Sequence, residues 1–132
     1  MYLLDTNICI YFIRNMYPRL ISKILSHHPD ELAISSISWF ELEYGAEKSK
    51  WGQKNRDNMK LFLSPFTILP FDSMDAVYAG QIRHYLEKTG SPIGAYDILI
   101  AAQGLSNNIT IVTHNTGEFS RIPNLAIEDW TV

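Results

Sequence analysis

Apolar residues along this chain fall into two textures. Short runs rich in branched side chains alternate with longer stretches where apolar positions recur every three or four residues. The short runs predict strands at Tyr2-Leu3-Leu4, Leu32–Ser35, Thr67–Pro70 and Ile109–Thr113, with an edge strand at Ala126-Ile127. The longer stretches predict helices from Asn7 to about Asn15, Pro18–Ser26, Ser38–Lys48, about Gln53–Leu63, Ser73–Thr89 and Tyr96–Ser106. Punctuation agrees: Pro29-Asp30 precedes the second strand, Pro70 ends the third, and Gly90-Ser91-Pro92 stops the long helix. Short apolar strands alternating with helices predict right-handed βαβ units and a parallel sheet covered on both faces. In such sheets ligands gather at the carboxyl ends of the strands, near a switch in strand order.

Three acids interrupt this pattern. Asp5 ends the first strand, between Tyr2-Leu3-Leu4 and Ile8-Cys9-Ile10. Glu41 shares i, i+3, i+4, i+7 spacing with Ile37, Phe40 and Tyr44, which places it on the apolar face of its helix. Asp97 falls in the first turn of a later helix, on a stripe with Ile93, Tyr96, Ile100, Ala101 and Gly104. Structural roles exist for two of them. Asp5 can cap the following helix, and Asp97 can be favoured by a helix dipole. Glu41 has neither role and would need Arg83 or a lysine as its partner. Glu43, Glu47, Asp57, Asp75 and Glu87 are expected to face water.

Burying carboxylates without partners is costly, and cations are scarce here: only Arg83 and Lys88 lie between residues 61 and 120. A hard divalent cation resolves that conflict, since Mg²⁺ and Mn²⁺ prefer carboxylate oxygens. A further donor is expected after the fourth strand, where Asn115 offers a neutral oxygen and Glu118 a carboxylate.

The 132 residues are 46% hydrophobic and 19% charged, enough for one core and too apolar for disorder. One cysteine forms no internal disulfide and no Cys-rich zinc site. No apolar run approaches a membrane span and no signal peptide opens the sequence, so we expect a cytoplasmic protein with no membrane partner. A net charge of −3 argues against nucleic-acid binding by bulk charge. The first 66 residues are nevertheless at +1 and the rest at −4, and Lys48, Lys50, Lys54, Arg56 and Lys60 crowd one stretch. That stretch reads as a solvated helix face or as a phosphate-contacting edge beside an acidic site.

At these residues the sequence resembles a known family, the PIN-domain ribonucleases, and within it the VapC toxins of bacterial toxin–antitoxin pairs. The resemblance lies in Leu3-Leu4-Asp5-Thr6-Asn7 and in Ser35 through Ala46 around Glu41. It continues in Gly80-Gln81-Ile82-Arg83, in Gly90 through Ala101 around Asp97, and in Ile111 through Phe119. Each motif is short, but together they span nearly the whole chain in order. The resemblance implies a single PIN domain over 1–132, with a three-layer α/β/α sandwich and a mostly parallel five-stranded sheet. It implies a Mg²⁺- or Mn²⁺-dependent endoribonuclease in which Asp5, Glu41 and Asp97 are the acidic metal-binding residues. Thr6 and Thr113 match hydroxyl-bearing supports. The family's fourth acid is often Asp; here Asn115 stands in its place, with Glu118 able to compensate. The resemblance further implies a homodimer, a cognate VapB-type antitoxin, and an RNA substrate, with initiator tRNA cut in this branch. Asn115 leaves a second reading open, a catalytically silent PIN-like binding module. An aspartyl-phosphate phosphatase would want a second Asp where Asn7 stands.

Overall fold

The computed structural model describes residues 1–132 and contains one five-stranded sheet. Strands β1 (Tyr2–Leu4), β2 (Leu32–Ser35), β3 (Thr67–Leu69), β4 (Thr110–Val112) and β5 (Ile127–Glu128) run in the order β3-β2-β1-β4-β5. Every pairing is parallel, with Leu3 opposite Ala33 on one side and Ile111 on the other. The chain builds outward from β1 to β3, then returns to add β4 and β5 on the opposite side. The order therefore reverses between β1 and β4, where this topology opens a crevice at the carboxyl ends.

Seven helices cover the sheet: α1 (Thr6–Ile13), α2 (Pro18–Ser26), α3 (Ser36–Lys48), α4 (Gly52–Leu63), α5 (Ser73–Lys88), α6 (Ala95–Asn107) and α7 (Thr116–Phe119). Strand periodicity decides which helices meet which face. Leu3, Ala33 and Ile111 point to one face and pack with Ala79, Ile82 and Leu86 of α5, Ile98 and Ala101 of α6, and Phe119 of α7. Leu4, Ile34 and Val112 point to the other, against Ile8 and Phe12 of α1, Leu20 and Ile24 of α2, Leu42 of α3 and Leu63 of α4. Both faces are covered over the central strands β1, β2 and β4, which is why these carry few polar residues, whereas Thr67 and Ile68 on β3 are exposed. Close approach of α6 to β4 depends on Gly104: a Cβ there would lie 2.8 Å from Ile111 Cδ1.

Two expectations about polarity fail. Asp75 is buried, not solvated. It forms a reciprocal cap with Asp72 at the start of α5 and accepts a 3.3 Å hydrogen bond from Asn107 Nδ2 on α6. On α3 the buried side is Ser38, Leu42 and Ala46, whereas Phe40 and Tyr44 are exposed. Glu41 is thus half-buried at the crevice rather than on the core-facing stripe. Tyr96 is likewise exposed, its ring edge-on to Phe40 at 5.6 Å.

Candidate active site

Each acid reaches the carboxyl edge of the sheet for a local reason. Asp5 leaves β1 as the N-cap of α1; its Oδ1 accepts from Ile8 N–H at 2.9 Å, and its own N–H donates to Val112 O. The capping role and the site role therefore coincide in one side chain. Ser35 ends β2 and caps α3 through Ile37 N–H, which sends α3 outward and puts Glu41 over the edge. The α6 helix starts after Gly94 without a side-chain cap, and Asp97 lies in its first turn. After β4, Thr113 accepts from Asn115 N–H, and the short α7 turns Glu118 back towards the others.

The four carboxylates Asp5, Glu41, Asp97 and Glu118 feel one another. Burial pushes Asp5 up to about 6, against the Thr113 hydroxyl and Ile8 N–H, with Glu41 and Asp129 adding repulsion. Asp97 also rises to about 6, first through burial, then through the charges of Asp5, Glu118 and Glu41. The Glu118 carboxylate is thus a near neighbour of Asp97. No arginine or lysine pairs with any of the four: Arg83 holds Glu87, and Arg56 holds Glu43 and Glu47. Arg83 is therefore not the partner of Glu41. That role falls to the Thr6 hydroxyl, 2.7 Å from Glu41 Oε1 and 2.9 Å from Ser38 Oγ.

The amide of Asn115 donates from Nδ2 to Glu118 Oε2 at 2.7 Å. Asn115 and Glu118 thus act as a unit, the amide aiming the carboxylate. Sequence reasoning treats them as alternatives; their i, i+3 spacing across the start of a helix is the signal that joins them. It also misses the hydrogen bond from Thr6 to Glu41, which links residues 35 apart in sequence.

The donor set suits a hard divalent cation: four carboxylates and an amide oxygen, none of them in an ion pair with arginine or lysine. Cys9 is sealed in the core, where burial pushes its thiol up, so it offers no soft ligand. No three carboxylate, imidazole or thiol groups already stand at ligand spacing about one point. Asp5 and Asp97 are nevertheless near enough to the other acids to be raised by their charge.

Of the basic stretch, Lys48 lies 4.9 Å from the exposed Tyr44 ring and Lys50 lies 5.3 Å from the exposed Trp51 ring. Lys54 is exposed without an ion pair, whereas Arg56 bridges α3 and α4. No helix is long and apolar enough to cross a membrane.

Residues 2–125 match the model of the PIN domain. The chain is 41% identical to the tRNA(fMet)-specific endonuclease VapC of Salmonella typhimurium, with 98% of this chain and 97% of that protein covered. It is 42% identical to Ribonuclease VapC2 of Rickettsia felis, with the same coverage. Among solved structures, VapBC2 from Rickettsia felis bound to a DNA fragment from its promoter superposes with a TM-score of 0.91 at 40% identity, covering 98% of each chain.

Proposed function

The chain belongs to the PIN-domain family, among its VapC ribonucleases, and from that membership we propose that it is the metal-dependent endoribonuclease of a toxin–antitoxin pair. One observation carries the reading: four acids from four separate segments gather at the strand-order switch, and no arginine or lysine forms an ion pair with any of them. We read residues 1–132 as a single PIN domain.

In this reading Asp5 and Asp97 hold Mg²⁺ or Mn²⁺, with Glu41 and the Asn115–Glu118 unit completing the donor set. A bound ion would supply positive charge for the phosphoryl group and acidify water for hydrolysis of an RNA phosphodiester, in which the P–O bond to the leaving ribose oxygen breaks as the P–O bond to water forms. The chain does the rest. Ile8 N–H and the Thr113 hydroxyl fix the Asp5 oxygens. Thr6 ties down Glu41 Oε1, which leaves Oε2 free to take a proton from the attacking water. Burial and the neighbouring carboxylates raise Asp97 to about 6, so a cation there would compete with its proton and loading would depend on pH. Lys48, Lys50 and Lys54 contact phosphates further along the RNA; Arg56 is engaged by Glu43 and Glu47 and serves the fold instead.

The substrate we propose is RNA, with initiator tRNA first in line because the relatives from Salmonella typhimurium and Shigella flexneri are named for it. The solved relatives include VapBC complexes, which supports a VapB-type antitoxin as partner. A homodimer is supported by exposed apolar residues such as Met74, Val77 and Tyr85 along α5.

The test incubates purified, antitoxin-free protein with total bacterial RNA in Mg²⁺ or Mn²⁺, with and without excess chelator, beside Asp5→Ala. Discrete metal-dependent fragments, absent in the variant, are expected, and their ends identify the target. A folded protein that cuts nothing in either metal would instead be a silent RNA- or protein-binding module, the reading that Asn115 in place of an acid favours.

A further inference from the structure

The carboxyl edge carries a second cluster that the acid chemistry does not use. Tyr11 on α1, Tyr17 between α1 and α2, and His114 after β4 form an aromatic trio. Ring centroids are 5.0 Å apart for Tyr11 and Tyr17, 5.6 Å for Tyr17 and His114, and 6.4 Å for Tyr11 and His114. The trio borders the acids: Tyr11 lies in the field of Asp5, and His114 directly follows Thr113, whose hydroxyl meets Asp5.

Two observations separate the trio from ordinary packing. Tyr17 holds φ 57° and ψ 89°, a left-handed conformation that side chains with a Cβ rarely adopt. Asn15, two residues earlier, does the same. Such strain persists only where something holds it, and here it holds the Tyr17 ring against Tyr11 and His114. His114 is fixed from behind: Nδ1 lies 3.0 Å from Asp129 Oδ2 and 2.9 Å from Thr131 Oγ1, while Thr131 Oγ1 donates to Asp129 Oδ1 at 2.6 Å. A carboxylate only accepts, so Nδ1 donates to Asp129 and Nε2 is the ring's remaining polar atom. His114 is exposed, and Tyr11 and Tyr17 are half-exposed, each resting one side on the core.

We propose that Tyr11, Tyr17 and His114 form a base-binding wall for the nucleotide beside the scissile phosphate, with His114 Nε2 as its polar contact. The proposal rests on the ribonuclease reading and adds to it a subsite for one unstacked base. Aromatic faces stack on any base, so the wall fixes position more than sequence. Nε2 hydrogen-bonds a ribose 2′-hydroxyl or a polar base edge. Asp129 and Thr131 are positioning residues that aim the imidazole.

The test measures binding of a labelled short single-stranded RNA and of the same strand with abasic internal positions. Fluorescence anisotropy is read in an Asp5→Asn background, which silences turnover. Tyr17→Leu and Tyr11→Leu are each expected to weaken the intact strand by about fivefold or more, as losing one stacked base implies, and to leave the abasic strand unchanged. Tyr17→Phe keeps the ring and should match the parent. Tyr17→Gly relaxes the left-handed backbone, so it keeps the test open if Tyr17→Leu fails to fold; it too should lose base-dependent binding. Equal affinity for both strands across all variants, or an equal loss on both, overturns the proposal. So does unchanged RNA binding with weakened antitoxin binding, which would make the wall a protein-docking surface. Cleavage by the unmutated chain separates the two readings. If it cuts RNA and the tyrosine variants keep its KM, the wall alone fails. If it cuts nothing while base-dependent binding is lost in the variants, the nuclease reading fails and the wall stands.

Discussion

Asp5 is held by forces that pull its proton in opposite directions. The Ile8 N–H and the Thr113 hydroxyl favour the carboxylate, while burial favours the acid and prevails, lifting the group from 3.8 to about 6. Between those values the folded protein binds more protons than the unfolded chain, so stability falls as pH rises through that window. Asp5→Asn keeps an oxygen to accept from Ile8 N–H and removes the charge. In chelator at pH 8 it should be more stable than the parent by about 1–3 kcal/mol, the cost of keeping the buried carboxylate charged, and the gain should vanish near pH 4. Urea unfolding at the two pH values checks this; equal stability at both would refute it. Cleavage should be lost throughout. Asp5 and Asp97 are legible in the sequence because an acid at a strand end or in a first helical turn stands out among apolar neighbours. Asp75 is not: its burial depends on Asn107, an amide 32 positions away, which no local pattern reveals.

At the level of elements, the strands and the six long helices are legible because their apolar periods are strong and Pro and Gly mark their ends. The four-residue α7 is not, being too short to show a period. The buried face of α3 departs from its apolar spacing for a physical reason. Leaving β2, the helix overhangs the sheet edge, so Phe40 and Tyr44 continue the apolar spacing while facing solvent. The pairing of α6 with β4 offers a direct test. At Gly104 a side chain would enter space held by Ile111 Cδ1, Ile111 Cγ1 and Leu125 Cδ1, within 3.1 Å. Gly104→Val should cost about 1–3 kcal/mol by overpacking, read as a lower denaturation midpoint. It should also reduce cleavage, because α6 carries Asp97. An unchanged midpoint would show that α6 can shift away from the sheet at no cost.

For the whole molecule, a net charge of −3 hides a division of labour. The acids gather at the sheet edge, and free lysines sit on the α3–α4 turn. If Lys48, Lys50 and Lys54 each meet a phosphate, the logarithm of RNA affinity should fall with the logarithm of salt at a slope of about −2. Replacing the three lysines with Gln should flatten that slope, whereas Arg56→Gln should leave it and lower stability instead, since Arg56 is already paired with Glu43 and Glu47. A slope that the lysine replacements do not change would remove this surface from the RNA path. The parallel sheet and its covering layers are legible from the alternation of elements. The order β3-β2-β1-β4-β5 is not, because local spacing does not say on which side of β1 a later strand docks.

That order also governs when activity can arise. β4 joins the sheet beside β1 only after more than a hundred residues have been made, and Glu118 follows it. A chain still growing on the ribosome carries Asp5 and Glu41 early, but it has no crevice for them to line. Proteolytic pieces that lack β1 or β4 are in the same position. A cell producing this enzyme therefore meets no cutting fragment during synthesis. The interval before the last third of the chain docks gives an inhibitor, if made alongside, time to be waiting when the acids first come together.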